Sequence, residues 1–298
     1  MFNTITDLQR AMESARYICD RALATSVYLS QAMGKPLLIE GEAGVGKTEV
    51  GKVVAEVLQA QFIRLQCYEG LDVEHALYEW NYPKQILHIQ LAQSKKESGC
   101  EVNVEQTIFN EKFLLKRPLL EAIQSSSNVP VVLLIDEIDR ADEGFEAFLL
   151  EVLSDFQITI PEIGTIKATR RPSVIITSNQ TRELHDALKR RCLYHWIDFP
   201  SLEKELRIVL TKVPKVEERL AQQICSLMQR MREIDLLKKP GIAETLDWAE
   251  SLVILNKGSI NKETLEETLG CIFKYREDME KFREIIKKEG FVSVLHCG

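Results

Sequence analysis

The sequence has no C-x-x-C pair, no cluster of cysteines and histidines large enough to supply a zinc site's four ligands, and no run approaching the roughly 18 apolar residues of a membrane span. The first two absences argue against a zinc module or a redox pair. The seven cysteines (Cys19, Cys67, Cys100, Cys192, Cys225, Cys271, Cys297) are scattered and read as buried, reduced thiols. The third leaves no candidate for a membrane span. The opening MFNTITDLQR lacks the charged and apolar zones of a secretory leader, so a cytoplasmic location is expected. Positive charge is also short: 38 Lys and Arg face 45 Asp and Glu, a formal net charge of -7. Such a balance argues against a surface built to neutralise nucleic-acid phosphates, and no nucleic-acid partner is expected. There is no internal repeat and no low-complexity segment.

What is present is an ordinary globular composition, 45% hydrophobic and 28% charged over 298 residues, enough to bury a sizeable core. Short apolar runs recur at PLLIE (36–40), FIRLQC (62–67), VVLLI (131–135), SVIITS (173–178) and WIDF (196–199). Each is too short for a helix, and stretches with helical spacing separate them, which is the pattern of a parallel sheet covered on both faces. The fold class is therefore α/β over residues 1–200. Pro200 ends the last strand, and Ser201 is placed to cap a helix with Glu205 in its first turns. From there Val216, Leu220, Ile224, Leu227, Met228 and Met231 recur at helical intervals, and ETLDWAESLVIL and NKETLEETLGCIF repeat the amphipathic pattern. Residues 201–298 read as a small all-α domain, with Met228 and Met231 as core filler.

GEAGVGKT, residues 41–48, matches G-x-x-x-x-G-K-[ST] in full and lies between a strand and a helical stretch. Its glycines allow the backbone from Gly41 through Glu42, Ala43, Gly44, Val45 and Gly46 to curl so that successive N–H groups form an anion nest. Lys47 can then reach the β- and γ-phosphates of ATP, and Thr48 can offer its hydroxyl to Mg2+.

VVLLIDEIDRAD puts Asp136 and Glu137 at the end of a buried strand, the edge where ligands of open α/β sheets bind. Asp136 can hold Mg2+ through water, and Glu137 can polarise the water that attacks the γ-phosphate. An Asp-Glu pair alone would be a weak signal; beside a complete phosphate loop it is a strong one. Asn179 ends a third strand, where its amide can hold the attacking water or sense the γ-phosphate, although an Asn after a strand is by itself just as often a turn former.

This set resembles the AAA+ ATPases, with GEAGVGKT as Walker A, LLIDE as Walker B, Asn179 as sensor 1 and Arg190–Arg191 in the arginine-finger region. FQITIPEIGTIKATRRPSVIIT resembles the β-hairpin before sensor 1, and QCYEGLDVEHALYEWNYPKQILHIQLAQ occupies the place of a helix-2 insertion; both are typical of the MoxR branch. RLQCYEGLD, YEWNYPKQIL and RELHDALKRRCLYHWIDFP are similar to its CoxD-like group. The resemblance implies a P-loop core followed by a helical lid, and a homo-oligomeric ring, hexameric by expectation. It also implies a chaperone-like ATPase working with a von Willebrand factor A-domain partner on a client enzyme, with molybdenum hydroxylase maturation as the role suggested by the CoxD-like group. In such a ring Arg191 is the favoured finger into the neighbouring subunit's site, with Arg190 beside it. The plainer reading of this pair is solvated charge at a helix C-terminus.

One departure stands out. Relatives carry a lid arginine near the position of Thr245 in PGIAETLDW, so Glu244 or Asp247 is left as a candidate for linking nucleotide state to the lid. Tyr68, Tyr78, Trp80 and Tyr82 are candidates for client contact or for packing the insertion on its own sheet. His185 and His195 read as structural or interfacial, and Trp248 and Leu246 as lid packing. Two other classes share the ATPase elements: a DNA-acting AAA+ machine, which the acidic balance does not favour, and a P-loop phosphotransferase, which leaves the arginine pair, hairpin and lid without roles.

Overall fold

A computed structural model describes residues 2–96, 108–125 and 129–289; Cys100 and Cys297 lie outside the described residues. Nine strands form among them: β1 (Leu37–Gly41), β2 (Gln61–Gln66), β3 (Tyr78–Trp80), β4 (Leu114–Lys116), β5 (Val131–Asp136), β6 (Gln157–Ile160), β7 (Gly164–Lys167), β8 (Ser173–Ser178) and β9 (Leu193–Ile197). Five of them make one sheet in the order β2-β5-β8-β1-β9. The pairs β2–β5, β5–β8 and β1–β8 are all parallel.

The five apolar runs of the sequence are these five strands, with β9 beginning three residues before WIDF. Every residue of β5 is buried, as is every residue of β1, because strands inside a parallel sheet are covered on both faces. β2, at the sheet edge, alternates instead: Ile63 and Leu65 are buried, while Arg64 and Gln66 share the other face. β6 and β7 form an antiparallel hairpin directly before β8, as the sequence indicates. β3, within the insertion, pairs antiparallel with β4, which follows it in the chain.

The chain divides into two compact units. One comprises Met1–Ile5, Ala22–Glu40 and Gly51–His195; the other comprises Thr6–Arg21, Gly41–Val50 and Trp196–Gly298. The core of the first is built from sheet residues such as Leu133, Ile135 and Ile176 with Leu119, Phe145 and Leu149 from helices Pro118–Gln124 and Glu143–Asp155. Asp142 starts the longer of these helices by accepting the Phe145 N–H at 2.7 Å. Trp80 is buried and meets Phe109 edge-on at 5.3 Å, whereas Tyr68 and Tyr82 are exposed; the insertion's aromatics thus divide between packing and surface.

The second unit contains the helices Leu202–Lys212, Glu218–Glu233, Ile242–Ile254, Lys262–Ile272 and Arg276–Glu289. Ser201 caps the first of them, accepting the Lys204 N–H at 3.3 Å. Met228, Met231 and Trp248 are fully buried in its core, and the Trp248 indole N–H donates to Thr268 at 2.8 Å. Among the described cysteines, Cys19, Cys67 and Cys225 are buried, whereas Cys192 and Cys271 are half-buried; burial pushes Cys67, Cys192 and Cys225 up to about 12, and Cys19 up to about 11.

Within this helical core lies a charged cluster. Arg232 donates to both oxygens of Glu205, at 2.6 and 2.7 Å, and its Nε donates to the Pro240 carbonyl. Thr245 and Gln229 donate to the same carboxylate, each at 2.6 Å, and the guanidinium lies 5.0 Å over the Phe199 ring. Glu205 is 0% exposed and Arg232 6%. Arg232→Met strands that carboxylate and should cost about 3–5 kcal/mol in urea denaturation, whereas combining it with Glu205→Leu should recover most of the loss. An Arg232→Met chain as stable as the wild type would contradict this account.

Candidate functional site

The strands β1, β5 and β8 run parallel, so their C-terminal ends, at Glu40, Asp136 and Ser178, fall on one edge of the sheet. The groups predicted to carry chemistry in the first unit collect there. Asp136 is 1% exposed. Its Oδ1 accepts the Thr177 hydroxyl at 2.5 Å, and its Oδ2 accepts Nε and Nη2 of Arg64 at 3.0 and 2.5 Å. Glu137 follows in the left-handed region at φ 57°, a conformation costing a residue with a Cβ about 1–2 kcal/mol. The turn holds because the Glu137 N–H donates to the same Thr177 hydroxyl oxygen at 2.9 Å.

The Glu137 carboxylate is gripped from three sides. Gln66 donates to Oε2 at 3.0 Å, Arg140 Nε approaches Oε2 at 2.9 Å, and Asn179 Nδ2 donates to Oε1 at 3.4 Å. The predicted Glu137 and Asn179 are therefore neighbours. Asn179 is itself held through its backbone, whose N–H donates to Asp139 Oδ1 at 3.1 Å; Thr181 gives Asp139 Oδ2 both its N–H and its hydroxyl, at 3.0 and 2.6 Å. Burial acts to raise the Asp139 carboxyl, but the hydrogen bonds from Thr181 and Asn179 outweigh it and hold the group below the ordinary carboxylate value. Gln180 donates to the buried Glu40 at 2.7 Å, and the Tyr194 hydroxyl does so at 3.1 Å.

Arg64, Gln66, Thr177, Asp139, Arg140 and Thr181 are residues of this cluster that escaped sequence reasoning. A signal existed for the first two. In FIRLQC the polar residues alternate with apolar ones, so both project from one face of β2, and the β2–β5 register sets Gln66 opposite Asp136. Thr177, in the middle of an apolar strand, carried no such mark.

The arginine pair lies at the end of helix Asp186–Arg191, which His185 caps by accepting the Ala187 N–H at Nδ1, 3.2 Å away. Leu188 is the buried anchor of this helix, and both Arg190 and Arg191 are exposed. Arg191 donates through Nη1 to the Leu150 carbonyl. His195 meets Ser26 at 3.2 Å, in keeping with a structural part.

In the second unit, the loop 41–46 leads into helix Lys47–Val57. Gly44 and Gly46 both have positive φ, 80° and 93°, so the loop has the left-handed turns that a phosphate-binding curl requires. Lys47 is buried, and its ammonium donates to the carbonyls of Gly41 and Glu42, both at 2.7 Å, which keeps it folded over the loop. Glu42 and Ala43 are exposed, Val45 is buried, and Thr48 at the helix start is half-buried. Thr245 is wholly buried in the Glu205 cluster, Asp247 is exposed, and Glu244 is buried with its Oε2 accepting the Gly241 N–H at 2.9 Å.

A hydroxyl at Thr48 and a carboxylate at Asp136 are hard oxygen donors of the kind Mg2+ takes. Mg2+ keeps several waters and uses substrate phosphates, so each of these groups, taken in its own unit, has the chemistry of a partial Mg2+ ligand. No group of three or more His, Cys, Asp or Glu side chains suited to a metal occurs among the described residues.

Residues 37–200 match the family described as ATPase family associated with various cellular activities (AAA). Among curated relatives, midasin of Giardia intestinalis is 22% identical over 211 residues; the match covers 62% of this chain and only 4% of midasin's length. An uncharacterized protein of Staphylococcus epidermidis is 23% identical over 231 residues, covering 75% of this chain and 78% of its own. Among solved structures, a variant of Thermotoga maritima RuvB superposes with a TM-score of 0.50 at 18% identity, over 98% of this chain and 78% of that one, a likeness of fold. The family match spans more than half of the chain and includes the phosphate loop, the Asp136–Glu137 strand end and the arginine pair, so the chain belongs to the AAA family of ATPases.

Proposed function

We propose that this AAA ATPase hydrolyses Mg-ATP at an interface between copies of itself and uses the cycle to remodel or mature a protein client. The observation that carries this reading is the Glu137 carboxylate, held by Gln66, Arg140 and Asn179 beside the buried Asp136. A carboxylate so fixed can orient a water and take its proton as the water attacks the γ-phosphate. Asn179 steadies the same water through its amide. The loop 41–46 and Lys47 bind the phosphate chain, and Lys47 exchanges its carbonyl partners for phosphate oxygens. Thr48 and Asp136 are the residues that would hold Mg2+, which when bound neutralises charge on the β- and γ-phosphates.

Arg191, with Arg190 beside it, completes the site of an adjacent copy. Their exposure at a helix end supports that role, with Arg191 exchanging its neutral partner, the Leu150 carbonyl, for a neighbour's phosphate. In related nucleotide hydrolases such a cation is worth roughly 10³–10⁵ in rate. The sequence motifs of the helix-2 insertion and the hairpin before β8 favour the MoxR branch and its CoxD-like group. By that resemblance the assembly is a ring, expected hexameric, acting with a von Willebrand factor A-domain partner, and the client is an enzyme of the molybdenum hydroxylase kind. No helix among the described residues is long and apolar enough to cross a membrane, which suits a ring working in the cytoplasm.

Lys47→Ala should abolish ATP binding in calorimetry. Glu137→Gln should leave binding intact and lower kcat by about 10²–10⁴, the usual weight of a positioned general base; turnover at the wild-type rate would refute the role given to Glu137.

Mixing Arg191→Ala chains with Lys47→Ala chains should restore part of the ATPase rate, because an intact Lys47 site then meets an intact arginine across an interface. No recovery at any mixing ratio, in samples where size-exclusion chromatography shows mixed assemblies, would rule out a shared site.

A further inference from the structure

The N-terminus of helix Ile242–Ile254 is not capped by a side chain of its own segment alone. The carbonyl of Gly44, in the phosphate loop, accepts the Ile242 N–H at 2.9 Å and approaches the Ala243 N–H at 3.4 Å. It thus occupies the place of a cap for the first two donors of the helix, which no intrahelical carbonyl can satisfy. Next to it, Glu244 turns back to accept the Gly241 N–H at 2.9 Å, while its other oxygen lies 3.7 Å from Lys238. Loop and helix belong to the same compact unit.

The approach is backbone against backbone. A Cβ on Gly241 would fall 2.8 Å from the Cα, carbonyl carbon and carbonyl oxygen of Gly44, closer than real Cβ atoms come to anything. A Cβ on Gly44 would lie 3.2 Å from both the Gly241 Cα and Glu244 Oε2. Only a pair of glycines fits this contact. Thr245 gives its hydroxyl to Glu205 at 2.6 Å and its N–H to the Gly241 carbonyl at 3.2 Å, which ties Gly241 to the buried cluster.

A peptide unit is planar and trans, so its C=O and the N–H of the next residue point in opposite directions. Fixing the Gly44 carbonyl on the helix therefore fixes the Val45 N–H pointing away from the helix. That N–H is one of the donors through which a loop of this kind binds phosphate.

We propose that the N-terminal turn of helix Ile242–Ile254, through Gly241 and Glu244, is a positioning element for the phosphate loop. It holds the Gly44–Val45 peptide in its phosphate-binding orientation, so nucleotide occupancy and the seating of this helix are coupled through backbone hydrogen bonds rather than through an arginine. The proposal rests on the reading of residues 41–48 as the ATP phosphate site. Coupling is reciprocal: what seats the helix tightens nucleotide binding, and nucleotide seats the helix.

Gly241 has φ -88° and ψ -173°, ordinary extended backbone open to alanine, so Gly241→Ala tests the close approach and not backbone strain. We expect Gly241→Ala to weaken binding of a non-hydrolysable ATP analogue by about tenfold in the full-length chain. Glu244→Ala should show a smaller loss, and Glu244→Gln, which keeps an acceptor oxygen for the Gly241 N–H, should restore it. In the wild type, saturating analogue should slow hydrogen exchange at the Ile242 and Ala243 amides by a similar factor, a reading that mere structural damage in a variant does not supply. Gly241→Ala binding as tightly as the wild type, or unchanged exchange at those two amides in saturated wild type, overturns the proposal. If Gly241→Ala does not fold, the wild-type exchange measurement decides alone. Lys47→Ala separates this from the underlying reading: if wild type and Lys47→Ala bind ATP equally, the phosphate-site assignment itself fails. If only Lys47→Ala loses binding while Gly241→Ala keeps it, the positioning role fails and the site stands.

Discussion

The hydroxyl of Thr177 donates to Asp136 and accepts the backbone N–H of Glu137. This single group links β8 to the end of β5 and fixes two neighbouring carboxylates in different surroundings. Asp136 is held inside, between a hydroxyl and the Arg64 guanidinium, with hardly any surface exposed. Glu137 is thrown outward by its left-handed backbone, and side-chain donors rather than burial hold it. Adjacent residues in a strand would point to opposite faces. Here the strand stops at Asp136 and the turn at Glu137 lets both carboxylates serve one edge.

The cost of that turn is met locally. A left-handed non-glycine residue and a buried carboxylate are each unfavourable alone, by amounts comparable with a lost hydrogen bond. Both are offset by hydrogen bonds from the sheet itself. The same device repeats one strand over: Gln180 is also left-handed at φ 55°, and its N–H donates to the Ser178 hydroxyl at 3.0 Å. Asp139 then ties the two turns together by accepting from Asn179 and Thr181. Rigid placement of Asn179 against Glu137 follows from backbone bonds, not from the length or stiffness of either side chain.

What the sequence made legible is what local rules govern. Unbroken apolar runs showed β1, β5 and β8 as interior strands, and spacing showed the helices from Leu202 onward. Ser201 was readable as a cap, and Asp136, Glu137 and Asn179 were readable as a set because parallel strands bring their C-terminal ends to one edge. Less legible were partners whose role exists only across the sheet. Thr177 sits in SVIITS like any β-branched strand residue, and its use is fixed by the β5–β8 register rather than by its neighbours in sequence. Gly241 looked like an ordinary residue before a helix. Its meaning comes from Gly44, nearly two hundred residues away in the chain.

The Glu205 cluster shows why position 245 holds a hydroxyl. Glu205 is wholly buried, and a buried carboxylate needs both a counter-charge and donors for its remaining lone pairs. Arg232 supplies the charge from helix Glu218–Glu233, so the residue facing it from helix Ile242–Ile254 has only to donate a hydrogen bond. Thr245 does this with its hydroxyl at 2.6 Å, while its backbone N–H donates to the Gly241 carbonyl at 3.2 Å. An arginine in its place would bring a second cation against Arg232 and could not fit the enclosed space. Thr245 is the fourth residue of that helix, and Arg232 Nε also donates to the Pro240 carbonyl, so the buried charge anchors the helix at the same end, beside Gly241 and Glu244, that meets the loop.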